Sequence, residues 1–180
     1  MKLKLILIAS VFAMASCMTV RAQNINTFRN GDVAINAGLG LGGYHEHDLD
    51  AFTPTFNLMG EYGFLDGIIK GKGCISGGLL FGIGGGHDSD WKDVDITRTR
   101  FGTRGTLHYQ FIPQLDTYGG LALCIDVEKA KVGGYKDKDT TFNPFVFAGV
   151  RYMFNGSVGA YSELTWDNFA AFQIGLSFRL

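Results

Sequence analysis

Large apolar residues recur at every second position through most of this chain, and that period constrains its fold more than any other feature. In the final stretch, "AAFQIGLSFRL", Phe172, Ile174, Leu176, Phe178 and Leu180 alternate with Gln173, Gly175, Ser177 and Arg179. Successive side chains of a strand point to opposite faces, so this is a strand with one large apolar face and one small or polar face. An unpaired apolar edge of that length invites aggregation, so it needs a partner strand. The same phrase is written three times more: "EYGF" at 61–64, "HYQF" at 108–111 and "RYMF" at 151–154, against "SFRL" at 177–180. The first three run into "LDG", "IPQ" and "NGS", which are turn material. The chain is therefore an internal repeat of hairpins.

Working outward from each phrase gives eight strands, at 31–42, 53–64, 74–85, 96–109, 115–127, 142–154, 157–166 and 170–180. Most have the length of a tilted strand crossing a bilayer core of ~25–30 Å. Val33, Ile35, Ala37, Leu39 and Leu41 form one face of the first, and Phe56, Leu58, Tyr62 and Phe64 one face of the second. Leu121, Leu123, Ile125 and Val127 do the same in the fifth. The opposite faces are small or polar. The connections alternate as well. Those at 65–73, 110–114 and 155–156 are mostly short, while 43–52, 86–95 and 128–141 are longer and charged. Short turns at one end and long polar loops at the other are the asymmetry of an outer-membrane barrel. The expected fold is all-β: a single eight-stranded antiparallel up-and-down transmembrane barrel. Its apolar face meets lipid, and its last strand pairs with its first. Tyr62, Phe64, Tyr109, Phe111, Tyr152, Phe154 and Phe178 would form an aromatic girdle at the periplasmic interface.

The rest of the sequence fits export. "MKLKLILIASVFAMASCMTVRAQ" has a basic start, an apolar run too short to span a bilayer, and small residues Val20 and Ala22 before a cut. Residues 1–22 read as a signal peptide and 23–180 as the barrel domain. A lipoprotein cut before Cys17 is the rival. Cleavage after Ala22 removes Lys2, Lys4 and Arg21, leaving 13 basic residues against 17 acidic ones. That balance argues against a nucleic-acid partner. Cys74 and Cys124 would then be the remaining cysteines, expected as free thiols because they are placed far apart along their strands.

Together with the glycine-rich alternating strands, "GAYSEL" at 159–164 and "IGLSFRL" at 174–180 make the chain resemble the PorT-like outer-membrane β-barrel domain family, over residues 30–180. The architecture is similar to small OmpA/OmpX-type barrels. The resemblance implies the outer membrane of a Gram-negative bacterium. It also implies a terminal strand read as an assembly signal by the barrel-assembly machinery, here Phe172, Ile174, Leu176, Phe178 and Leu180. The family's name implies a transport- or secretion-associated role as an alternative to a structural one. The sequence departs from the usual signal in placing Phe178 two residues before Leu180.

An eight-stranded barrel is just wide enough for its own side chains. The inward set is expected to hold Glu61, Arg98, Arg100, Arg104, Arg151, Glu163 and Arg179 as an interior polar network that plugs the lumen, because unpaired buried ions are costly. A narrow gated path is the functional counterpart, and an excess of arginine would favour anions. If Glu163 and Arg151 both face inward, the loop between their strands must be odd in length. A three-residue loop Phe154–Asn155–Gly156, with Gly156 left-handed, satisfies that parity. His45 and His47 in "HEHDLD", and the acidic run from His87 to Asp95, read as solvated loops rather than metal sites. The glycines at 38, 40, 42 and 43 lack the strand–turn–helix setting of a dinucleotide site. No metal, cofactor or catalytic residue is expected. His108 and Ser76 could lie at one depth, but no paired acid other than Glu61 is evident. The expected role is structural or surface-interactive, through outer-membrane lipid and a surface ligand on loops 43–52, 86–95 and 128–141. A lipid-modifying enzyme is a further alternative.

Overall fold

The computed structural model describes residues 28–42, 54–88, 94–132 and 135–180. Eight strands follow one another: β1 (Val33–Leu41), β2 (Thr55–Gly67), β3 (Gly73–Asp88), β4 (Val94–Ile112), β5 (Leu115–Val132), β6 (Tyr135–Met153), β7 (Val158–Thr165) and β8 (Phe172–Arg179). Each pairs antiparallel with its neighbour, and β8 returns to β1, so the sheet is a closed barrel. The seam runs from Leu41↔Phe172 to Ala34↔Arg179. Closure leaves no free edge, and it satisfies every central backbone group within the sheet. This is the transmembrane barrel that the alternation predicts. The expected signal peptide and both cleavage sites lie outside the described residues. So do loop 43–52, with His45 and His47, and residues 89–93 of loop 86–95.

The facing matches the pattern read from the sequence. Large apolar side chains stand outward in a continuous belt, among them Leu39, Phe56, Leu79, Phe101, Leu121, Leu123, Val146, Ile174 and Leu176. Many buried positions are polar, including Asn36, Asn57, Ser76, Thr106, Gln173 and Ser177, and they share the interior with a cluster of larger side chains, Met59, Leu80, Tyr118, Phe145, Phe147 and Tyr161. A water-soluble ligand-binding barrel would have the reverse arrangement. Tyr62, Phe64, Phe111, Tyr152, Phe154 and Phe178 are exposed at one end, as a girdle requires, with Tyr109 packed edge-on against Phe111 at 4.7 Å. Cys74 and Cys124 are free and buried. The facing gives a direct expectation. Leu123 is 51% exposed and Ala122 is 1% exposed on adjacent positions of β5. Leu123→Arg should cost about 2–4 kcal/mol near the bilayer midplane. Ala122→Ser points into the lumen, beside Met59, Leu80 and Phe147, and should cost less, about 1–2 kcal/mol at most, because it places one neutral hydroxyl and no charge out of water. Denaturant unfolding of the barrel in lipid vesicles measures both.

Four details differ from expectation, each for a physical reason. First, β3 to β6 run past the apolar belt. The charged segment 128–141 is not a loop: β5 continues to Val132 and β6 starts at Tyr135, paired from Glu128↔Asp139 to Val132↔Tyr135. Alternation persists there in lysine and aspartate rather than in apolar residues, and a ladder needs only backbone groups. Second, the connection at 110–114 shrinks to Pro113–Gln114, with a bulge between Gln110 and Ile112 and Gln114 at φ 72°. Third, β2 extends to Gly67 and the long connection at 65–73 is a single tight turn at Ile68–Gly71.

The fourth difference concerns the β6–β7 turn. Its length is odd, as parity demanded, and Arg151 pairs with Tyr161 on the face that also carries Glu163. The turning residues are 155–157, not 154–156, because Phe154 N–H donates to Val158 O at 2.9 Å. Gly156 is not in the left-handed region. Instead the Asn155 side-chain oxygen accepts from the N–H groups of Ser157 (2.8 Å) and Val158 (2.7 Å). An asparagine side chain here takes the place of a left-handed glycine.

Candidate functional site

The inward face of the sheet brings charged residues from five strands onto the barrel axis. Glu61 (β2) and Arg104 (β4) lie on one ladder line, with Gly78 (β3) between them. Because Gly78 has no side chain, the carboxylate and the guanidinium meet across it: Arg104 Nε lies 2.8 Å from Glu61 Oε1. Arg104 Nη2 reaches Glu163 Oε2 on β7 at 2.9 Å. Arg151 (β6) approaches Glu61 Oε2 at 3.1 Å with Nη2, and Asp116 Oδ2 (β5) at 3.1 Å with Nη1. The result is a chain across the lumen: Glu163, Arg104, Glu61, Arg151, Asp116. Every member is buried. Thr106 Oγ1 donates a further bond to Glu61 at 3.0 Å. The Arg104 guanidinium lies over the Phe147 ring at 3.8 Å.

Arg100 forms a second cluster nearer the other end. It makes a fork to Asp126 with Nε and Nη2, each at 2.6 Å, and its Nη1 reaches Asp167 Oδ2 at 2.8 Å. Asp167 belongs to the β7–β8 connection. Its other oxygen accepts from the N–H groups of Phe169 (2.5 Å) and Ala170 (3.0 Å). The connection therefore folds into the barrel mouth. Phe169 and Ala170 are buried, and the Phe169 ring lies 4.4 Å from the Arg100 guanidinium. The opposite mouth is filled by residues ahead of β1. Gly31 N–H donates to Gly63 O and Gly63 N–H to Asp32 O, which turns Phe28 inward. Phe28 is 2% exposed and stacks on His108 at 4.6 Å.

The interior set read from the sequence is thus divided by the structure. Glu61, Arg104, Arg151 and Glu163 form one connected network, and Arg100 centres another. Arg98 and Arg179 belong to neither. Arg98 stands at the outer rim, paired with Glu128 at 3.0 Å, and Arg179 stands at the opposite rim, 3.9 Å from Asp32 and bonded to Gly156 O. Both face inward in the alternation, but each lies beyond the turn or plug that closes its end, so water reaches it. Asp116, Asp126 and Asp167 were missing from the expected set. Asp126 was legible, since it alternates with Ile125 and Val127. Asp116 follows a turn and Asp167 lies in a connection, where alternation carries no information. With them, three buried arginines face five carboxylates, and the expected excess of arginine does not hold.

A third arrangement was only half visible in the sequence. Ser76 Oγ lies 2.9 Å from His108 Nε2, and His108 Nδ1 lies 2.9 Å from Asp116 Oδ2. The acid beside His108 is Asp116, with Glu61 farther off at 3.8 Å. Serine, histidine and aspartate in that order are the parts of an acyl-transfer centre. Here the serine and histidine are fully buried beneath Phe28. β3 is also paired on both sides around Ser76, so its backbone donors are used in the ladders rather than free to hold an oxyanion. Among the described residues no cluster of metal-ligating side chains occurs. Phe172, Ile174, Leu176 and Phe178 line the outer face of the closing strand, with Leu180 exposed after it.

A filled lumen, an outward apolar belt and a girdle of aromatic residues at one end define a small transmembrane β-barrel. Comparison with solved structures agrees. The chain is similar to Ail, the attachment invasion locus protein of Yersinia pestis, at 14% identity and a TM-score of 0.58, over 84% of this chain and 99% of that one. Ail in complex with the heparin analogue sucrose octasulfate gives the same figures. Neisserial surface protein A is similar at 13% identity and a TM-score of 0.49, over 83% of this chain and 94% of that one. At such identities the likeness to Ail bears out the small eight-stranded architecture and nothing finer. No protein-family model matches the sequence, and no curated protein matches it.

Proposed function

We propose that this protein is an integral outer-membrane barrel of a Gram-negative bacterium, sealed along its axis, with a structural role and a surface-interaction role at its outer end. On this reading residues 1–22 are a signal peptide, and the barrel-assembly machinery inserts the mature chain into outer-membrane lipid. The observation that carries it is the ion-pair chain Glu163–Arg104–Glu61–Arg151–Asp116, which crosses the lumen from wall to wall. Phe28 and Phe169 fill the two ends. Moving an ion past that chain means breaking pairs that are out of water, a cost of several kcal/mol each. Planar-bilayer recording of the purified barrel tests the reading: no resolved conductance steps are expected at 1 M KCl. Regular single-channel steps would overturn it, and would favour the transport- or secretion-associated role that the PorT-like resemblance implies.

The contact chain Ser76–His108–Asp116 favours one second reading, a lipid-modifying hydrolase. A fluorophosphonate probe tests it. Labelling that is lost in Ser76→Ala would support the enzyme; absence of labelling in the wild type and in Phe28→Ala, which opens the site, would exclude a reactive serine.

A further inference from the structure

The outward face of the β5–β6 hairpin changes character abruptly. Going up that face, the cross-strand pairs are Leu121↔Val146, Leu123↔Pro144, Ile125↔Phe142 and Val127↔Thr140, then Lys129↔Lys138 and Lys131↔Lys136. The apolar belt thus ends in two rows of lysine placed directly opposite lysine, all four exposed. Residues directly opposite on one face have Cβ atoms ~4.5–5.5 Å apart, and like charges there destabilise a sheet. The acidic residues of the hairpin, Glu128, Asp137 and Asp139, occupy the other face. Among the described residues no carboxylate forms an ion pair with any of the four lysines. A hairpin kept soluble by mixed charge would set lysine against aspartate, and a shift of one residue in register would do so. The register is instead fixed by the barrel below. On the β4 side Asp95 stands opposite Lys131 and Thr97 opposite Lys129, so the cationic face carries one acidic position against four lysines and is left to find most of its counter-charge outside the chain.

Position says what that counter-charge is. Same-face rows of a strand are about two residues, or ~6.7 Å, apart along the strand, and a tilt of ~45° makes that ~5 Å of height. The first lysine row stands two rows above Phe142, hence ~10 Å above the last large apolar pair. Headgroups occupy the ~5–8 Å outside the hydrocarbon core, and a lysine stem reaches several ångströms back down. The second row, Lys131 and Lys136, stands one row higher, at ~15 Å. Reaching down, the ammonium groups of Lys129 and Lys138 come to the height of the outer leaflet's phosphates and those of Lys131 and Lys136 to just above it, on the side of the barrel that lipid covers. We propose that Lys129, Lys131, Lys136 and Lys138 form a binding site for the phosphate groups of a phosphorylated glycolipid of the outer leaflet, with two phosphates bridging the two lysine rows. This rests on the outer-membrane location proposed above and deepens it by naming a lipid class. Lysine suits the task as a point charge that holds phosphate without demanding planar geometry.

Native mass spectrometry of the full-length folded protein tests this, with bisphosphorylated lipid A, the same lipid dephosphorylated, and inorganic phosphate as the three probes. The wild type should retain the bisphosphorylated lipid at least about tenfold more strongly than the dephosphorylated one, given the attraction of each lysine to an anionic surface. The variant Lys129→Gln, Lys131→Gln, Lys136→Gln, Lys138→Gln should lose that preference, and the matching set of four Lys→Arg changes should keep it. Equal retention of the two lipids by the wild type, or an undiminished preference in the Gln variant, overturns the proposal. Displacement of the lipid by millimolar inorganic phosphate also overturns it, in favour of a free-anion site. Heat-modifiable migration shows that each variant is folded. Fractionation of cell membranes tests the location separately, so a failure there is told apart from a failure of the lysine site.

Discussion

Arg104→Ala is expected to prevent recovery of a stable barrel. Arg104 is the only contact joining Glu61 to Glu163 in the described network, and it is fully enclosed between them at 2.8 and 2.9 Å. Removing it leaves Glu163 without its ion-pair partner and Glu61 with Arg151 as its remaining arginine. Breaking one such buried pair from one side costs about 3–5 kcal/mol, because the surviving charge stays out of water. Native stabilities are only about 5–15 kcal/mol, so the loss consumes a large part of the total. Arg104→Lys should fall between, since a single ammonium reaches one carboxylate well and not both. The measurements are the denaturant midpoint in lipid vesicles and the fraction showing heat-modifiable migration. A midpoint within error of the wild type would mean that the network contributes nothing to holding the barrel together.

Removing Phe178, Arg179 and Leu180 should have an equally large effect, at assembly rather than in the finished fold. Phe178 pairs with Ile35 on one side and Val158 on the other, and Arg179 pairs with Ala34. Leu180 N–H donates to Val33 O at 3.0 Å, and Arg179 N–H to Ser157 O at 2.8 Å. Without these residues, the ends of β1 and β7 present unpaired backbone groups where girdle meets lipid, each costing several kcal/mol. The shortened chain should be exported and then degraded in the periplasm. Phe178→Ala should slow assembly by removing one girdle ring. Arg179→Lys, which keeps the charge facing Asp32, should not. The readout is protein in purified outer membranes from a strain lacking a periplasmic protease. Normal levels of the shortened chain would show that the seam tolerates an open end.

The two expectations draw on parts of the sequence that were not equally legible. The barrel, its strand order and its facing were readable because a period of two is the geometry of a strand, and lipid outside requires large apolar side chains at every second position. Leu121, Leu123 and Ile125 could hardly face elsewhere. Strand ends were harder to place. Above the belt the ladder continues in polar surroundings, where Lys129, Lys131, Lys136 and Lys138 mark strand no less than loop by composition. Single charges of the lumen were legible on strands, as with Glu61, Arg104, Arg151 and Glu163. Their partners were not all legible, because pairing depends on the stagger between strands. Asp167 reaches Arg100 only because its turn folds inward, and Asp116 meets His108 only through the register of β4 with β5. The expected left-handed Gly156 failed for a similar reason: Asn155 had a second way to make the turn.

Gly78 turns the usual ranking of replaceable residues upside down. A methyl group there would lie 3.1 Å from the Glu61 Cγ and press on the Gly60 carbonyl as well. The charged residues have conservative substitutes, such as lysine for arginine. The position that keeps Glu61 and Arg104 in touch has none, since even alanine is too large. A saturation library scored for folded barrel would therefore show, within the ion-pair network, deep intolerance at a residue that carries no charge and makes no side-chain bond. What this molecule cannot give up, at that point, is empty space.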